Sequence, residues 1–198
     1  MKTLGVLIFP GFELLDVCGP LEIFGSLSDK FKIIIIAEKI GQVKSTQNIA
    51  LIADADFNST PPLDLLLISG GLGTRQEVNN QELINWISRQ ALTTDLLLSV
   101  CTGSALLAKT GILDNRLATS NKKAFDWVMQ QGSKVNWVHK ARWVDDGNII
   151  TSSGVAAGID VSLYVIAKLY GIQTSENLAC GLEYIWNKDA NNDPFAKL

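Results

Sequence analysis

Histidine is nearly absent from this sequence: His139 is the single one in 198 residues. That removes most histidine-rich zinc arrangements and leaves any nucleophile with one histidine at most as its base. Cysteine is scarce as well. Cys18, Cys101 and Cys180 are an odd number at wide spacing, which is neither a disulfide framework nor the paired CxxC pattern of a metal site. No metal and no cofactor is expected. No apolar run approaches the roughly 20 residues of a membrane helix, and MKTLGVLIFPGFELLD has neither the apolar length nor the cleavage site of a signal peptide. A membrane is therefore not an expected partner, and the cytoplasm is the expected location. Basic charge is not in excess either. Lys and Arg number 17 against 20 acids, a net charge of −3, and no basic run stands out, so nucleic acid is not an expected partner.

What is present is apolar content, 47% of the chain, arranged as short runs between amphipathic stretches. LGVLIF (4–9), FKIIIIAE (31–38), LDLLLIS (63–69) and DLLLSVC (95–101) read as buried strands. ELLDVCGPLEIFGSL (13–27) has helical spacing, and its Pro20 should start a new helical segment or kink the helix. Further helices are expected over 81–92, 103–111 (closed by Gly111), 122–131, Val155–Tyr170 (closed by Gly171) and Thr174–Trp186, the last capped by Ser175. Hairpins are expected around 41–52 and over 141–152, where Asp146-Gly147 is a strong turn signal. Five Trp should leave apolar surface that needs covering. The tail from Asn187 (187–198) is polar and expected to fray. Strands alternating with helices predict one α/β domain over 1–198, a three-layer α/β/α sandwich with a mostly parallel sheet.

In such sheets ligands bind beyond the carboxyl ends of the strands, and three features fall there. Cys101 ends the 95–100 run and precedes Thr102, Gly103 and Ser104, where a helix begins. The small Gly103 allows a sharp turn, and helix-start amides near the sulfur would favour the thiolate, the layout of a nucleophile elbow. Gly70-Gly71 follows the 63–69 run, and their amides, with that of Thr102, could form an oxyanion hole. Asp16 and Glu22 follow the first strand. Asp16 lies in an apolar context, where a carboxyl beside a thiol can act as general acid and base. His139 lies in VNWVHKARW, outside the elbow region, and reads as a structural or surface histidine. Cys18 and Cys180 read as inert core.

Taken in order, VLIFPGFELLDVCGPLEIF, LLLISGGLGT, LLSVCTGSALLAKTGILDNRLATS and GNIITSSGVAAGIDVSLYVI resemble the ThiJ/PfpI superfamily over about residues 3–185. The resemblance implies a flavodoxin-like fold of the class I glutamine amidotransferase-like kind. Within the superfamily, the aspartate in LLDVCGP, the SVCTGS elbow and SGVAAGID are most similar to isocyanide hydratases, which add water to R–N≡C and release an N-substituted formamide. By that resemblance Cys101 attacks the isocyanide carbon to form a thioimidate, Asp16 moves protons and orients water, and Thr102 contributes its amide and hydroxyl. Gly70, Gly71, Gly103 and Val155 are then the binding residues around the reacting carbon. A homodimer is expected, with helix 13–27 a candidate interface.

Two departures narrow the reading. Peptidase-like members carry a histidine directly after the elbow cysteine, where this chain has Thr102. Glyoxal-handling members use a glutamate in the first motif, where this chain has Asp16. Asn121 in ATSNKKAF stands where isocyanide hydratases and other relatives place a histidine. The alternatives carried forward are a redox-sensing or ligand-binding protein without turnover, and a glyoxalase or deglycase.

Overall fold

The computed structural model describes residues 1–196. In chain order the elements are β1 (Lys2–Leu7), α1 (Leu14–Gly25), β2 (Phe31–Ile36), β3 (Gly41–Lys44), β4 (Ala50–Ala53), β5 (Leu65–Ile68), α2 (Thr74–Glu77), α3 (Gln81–Ala91), β6 (Leu96–Ser99), α4 (Gly103–Lys109), β7 (Leu117–Ala118), α5 (Phe125–Met129), β8 (Asn136–Trp137), β9 (Trp143–Asp145), β10 (Ile149–Ser152), α6 (Ala157–Tyr170) and α7 (Ile172–Gly181).

Six strands form one sheet in the order β2-β1-β5-β6-β10-β9, parallel throughout except for the β10–β9 hairpin. Every residue of β5, β6 and β10 is buried. The cause is local: Leu- and Ile-rich runs have no polar face to show to water, so helices must cover both sides. Helices α1, α6 and α7 pack together, and α2, α3 and α5 pack about α4, giving the three-layer α/β/α, flavodoxin-like sandwich. The register aligns the strand ends. Leu7 pairs with Ile68, Ile68 with Ser99, and Ser99 with Thr151. The residues that follow, including Gly70, Cys101 and Ser153, therefore converge above the carboxyl edge.

Several local expectations need correction. Pro20 neither starts nor ends a segment, because α1 runs through it from Leu14 to Gly25. Its missing N–H instead leaves the carbonyl of Asp16 without its usual partner four residues on. Helix α6 begins at Ala157 rather than Val155, which adopts φ 36° outside the helix. Ser175 lies inside α7 and does not cap it: its hydroxyl donates to the Leu163 carbonyl at 2.7 Å.

The described part of the tail is fixed as well. Arg142 and Trp143 both donate their N–H to Ala190 O, at 2.8 and 3.3 Å, and Asp193 is 2% exposed. Residues 197 and 198 lie outside the described residues. None of the five tryptophans is an exposed side chain: Trp86 and Trp143 are buried, and Trp127, Trp137 and Trp186 are partly buried against the core. Cys18 is partly exposed and Cys180 exposed, so neither is core. Among the described residues no helix is long and apolar enough to cross a membrane.

Candidate active site

Cys101 sits on the tight link between β6 and α4 with φ 57°. A non-glycine residue there is uncommon, and it persists where the surroundings fix it. Those restraints are visible. The Cys101 N–H donates to Ser153 O at 3.1 Å, and the Cys101 carbonyl accepts the hydroxyls of Ser120 (2.9 Å) and Ser104 (3.2 Å). The sharp turn is thus made at Cys101 itself. Gly103 has another duty, because a Cβ on it would collide with the carbonyls of Ile68 and Ser69 where α4 crosses the end of β5.

Around the sulfur stand the amides of Thr102 and Val155 and the side chain of Asn121, each favouring the thiolate by hydrogen bonding. Val155 is β-branched and holds a positive φ, a strained conformation that aims its N–H at the thiol. Gly154 makes room beside it, since a Cβ there would occupy the place of the Asn121 amide nitrogen. These donors do not win. Burial pushes the Cys101 thiol well above its ordinary value, and the charge of Asp16 pushes it further. The expectation of a thiolate favoured by helix-start amides is corrected: α4 has seven residues, and desolvation outweighs its dipole.

Asp16 is fully buried on α1 and accepts the Gly70 N–H on Oδ2 at 3.0 Å. Its Oδ1 has no formed hydrogen bond. The carboxyl lies within hydrogen-bonding range of the Cys101 thiol, and its titration is pushed up to about 7, first by burial and then by the charge of Glu13. Two residues 85 positions apart are brought side by side as neighbouring acids that favour sharing one proton.

The glycine pair does not form the oxyanion hole expected of it. The Gly70 N–H is taken by Asp16, and the Gly71 N–H donates to Thr102 Oγ1 at 3.0 Å. The Gly103 N–H donates to Val100 O at 3.0 Å and is likewise spent. Gly70 is instead needed for closeness: a Cβ there would lie 2.5 Å from Thr102 N and 2.9 Å from Asp16 Oδ2. The Thr102 hydroxyl is also engaged, between Gly71 and Thr74, whose Oγ1 lies 3.1 Å away. Its role is to hold the β5 turn against the elbow.

A cleft of about 400 Å³ opens over the thiol, lined by Gly71, Cys101, Thr102, Asn121 and Val155, and also by Glu13, Arg75 and Lys123. The last three were not among the residues singled out from sequence. Arg75 stands in the four-residue α2, and Glu13 and Lys123 stand at the starts of the expected helices 13–27 and 122–131, where a charged residue reads as a solvent-facing end. Glu22 lies elsewhere, exposed in a groove with Cys18 on the outer side of α1. His139 packs edge-on to Phe125, ring centres 4.6 Å apart, in a separate cavity with Lys122. Among the described residues no three metal-binding side chains cluster.

Comparison with known proteins is consistent with this geometry. The profile of the DJ-1/PfpI family matches residues 2–168. An isonitrile hydratase of Pseudomonas putida is 31% identical over 181 residues, 91% of this chain and 78% of that protein. An HTH-type transcriptional regulator of Pseudomonas aeruginosa is 27% identical, matching 88% of this chain and 54% of its own length. The crystal structure of a ThiJ/PfpI family protein from Pseudomonas syringae superposes with a TM-score of 0.85 at 31% identity, covering 92% of this chain and 75% of that one.

Proposed function

Because the chain belongs to the DJ-1/PfpI family, we propose that it is a cysteine-dependent hydratase that converts an isocyanide to the N-substituted formamide, with Cys101 as nucleophile and Asp16 as proton carrier. The observation that carries this is the pairing of a thiol on a strained elbow with a buried carboxyl whose Oδ1 is unpartnered. The name borne by the Pseudomonas putida relative supports the same chemistry.

The thiol and the carboxyl hold one proton between them when Asp16 is ionised and Cys101 is neutral. As Sγ bonds to the terminal isocyanide carbon, Asp16 takes the thiol proton, which removes the cost of forming a free buried thiolate. The carbon is left with a lone pair and receives that proton from Asp16, giving the thioimidate R–N=CH–S–Cys101. Asp16, ionised again, takes a proton from water as the water oxygen adds to the same carbon. Asp16 passes that proton to the nitrogen, and the C–S bond breaks with its electron pair returning to sulfur while Asp16 carries the hydroxyl proton of the carbon to the departing thiolate. The formamide R–NH–CHO leaves and the pair has its single proton back. Thr102, Val155 and Asn121, which point donors at the sulfur, stabilise it as a leaving group.

The test is direct. Purified protein should convert a simple aryl isocyanide to its formamide, and Cys101→Ala should abolish the conversion; no turnover over a panel of aryl and alkyl isocyanides sinks the assignment. The redox-sensing reading is weakened by the same geometry, because oxidation follows thiolate character and exposure, and Cys101 is 5% exposed with its thiol titration raised.

A further inference from the structure

The rim of the cleft carries the guanidinium of Arg75, with which no carboxylate pairs among the described residues. Arg75 is held in place from two sides. Its Cζ lies 3.8 Å from the centre of the Trp127 ring, and its Nη1 donates to Thr74 Oγ1 at 3.3 Å. Thr74 in turn touches the Thr102 hydroxyl of the elbow, so the orientation of Arg75 is tied to the reacting centre. Stacking on an aromatic ring leaves the planar N–H fork of an arginine free at its edge, a shape that matches a carboxylate.

Elsewhere in the chain fixed arginines meet acids: Arg116 pairs with Asp146 and Arg142 with Asp160. Among the described residues no Asp or Glu pairs with Arg75, nor with Lys123 on the same cleft. Lys122 is not available in the same way. Its ammonium is turned inward, donating to Ala141 O at 2.6 Å and Thr119 Oγ1 at 2.8 Å. Glu13 also lines the cleft, but its carboxylate is bound by the Gln47 side-chain amide at 2.6 Å and does not pair with Arg75. An anion in the cleft is attracted by Arg75 and repelled by Glu13.

We propose that Arg75, assisted by Lys123, is an anion-binding subsite beside Cys101, and that the electrophile this chain takes bears a carboxylate. The inference rests on the hydratase reading for its chemistry, whereas the binding of the anion does not depend on turnover. A cleft of about 400 Å³ suits a small isocyano-carboxylate, with the isocyanide carbon at the sulfur and the carboxylate on the Arg75 fork.

The experiment separates the two readings. N-formylglycinate, the hydration product of isocyanoacetate, and its methyl ester are titrated calorimetrically into the full chain. The acid should bind about tenfold tighter than the ester, a ratio that shrinks as salt is raised. Arg75→Met should bring the ratio to within about twofold, and Lys123→Gln should lower it by about threefold, as expected for a fixed bidentate partner and a mobile point charge. Equal affinity for acid and ester, no detectable binding of either, or a ratio unmoved by Arg75→Met overturns the subsite. Isocyanoacetate and its methyl ester are then tested as substrates. Acid-selective binding without hydration of either compound retains the subsite and removes the hydratase reading.

Discussion

Asp16 and Asp160 are both completely inaccessible to solvent, yet the Asp160 carboxylate accepts three hydrogen bonds and a further ion-pair contact where Asp16 accepts one hydrogen bond. Asp160 Oδ2 takes Nε and Nη2 of Arg142, and Oδ1 takes the Tyr184 hydroxyl and the Asn187 N–H, both at 3.0 Å. Asp193 adds a second carboxylate to Arg142 at 3.6 Å, an ion pair beyond hydrogen-bond distance. Both carboxylate oxygens that burial removes from water at Asp160 meet protein donors, and a buried guanidinium neutralises the charge, which is what makes it tolerable. Asp16 is given the Gly70 amide and a thiol that is itself an acid. The first arrangement holds a charge in place; the second leaves a carboxyl poised to gain or lose a proton. That contrast sets Asp16 apart more sharply than burial or sequence motif alone.

Replacement of the two aspartates by their amides should therefore act in opposite directions. The largest effect is on rate: Asp16→Asn should cut isocyanide hydration by about 10³-fold, read as kcat/KM by formamide formation. Next, Asp160→Asn should destabilise the fold by about 3–5 kcal/mol in chemical denaturation, because Arg142 is left buried with its partner neutralised. An Asp160→Asn protein as stable as the parent would break the comparison.

Asp16→Asn should instead raise stability at pH 8, by on the order of 2–4 kcal/mol. The sign follows from the raised titration. The carboxyl titrates near 3.8 when unfolded and near 7 when folded, so between those values the folded state binds the extra proton and stability falls as pH rises. The advantage of the amide should vanish towards pH 4. The same group sets an acid limb in kcat/KM near pH 7, since below it both members of the pair are protonated and Asp16 cannot accept the thiol proton. An acid limb unchanged in the residual activity of Asp16→Asn would assign it to another group. The smallest effect is Tyr184→Phe, which removes one of the three hydrogen bonds to the Asp160 carboxylate and should cost about 1 kcal/mol with kcat/KM unaltered.

The sheet was legible because its strands are continuous Leu, Ile and Val runs that cannot be anything but buried, and the elbow because a cysteine between such a run and small residues has few other uses. Hydrogen-bond allocation was not legible. Whether Gly70 gives its N–H to a ligand or to Asp16 is decided by a contact between residues 54 apart in sequence, and no local pattern encodes it. The left-handed Val155 was hidden for the opposite reason: its apolar context continues the helix pattern, and tertiary restraint overrides what a β-branched residue prefers alone. Arg142 and Asp160, charged residues 18 positions apart, look like surface groups until the chain closes over them. The segment that closes it, from Asn187 to Asp193, is polar in composition and so read as frayed.

That segment also has a bearing on how the protein behaves in concentrated solution. Strand β9 is the last in the sheet, and an uncovered sheet edge offers its free amides to any other chain. Here Ala190 takes the N–H groups of Arg142 and Trp143. A protein in which this strap is loosened would therefore reveal the damage first as aggregation during expression, before any loss at the thiol could be measured.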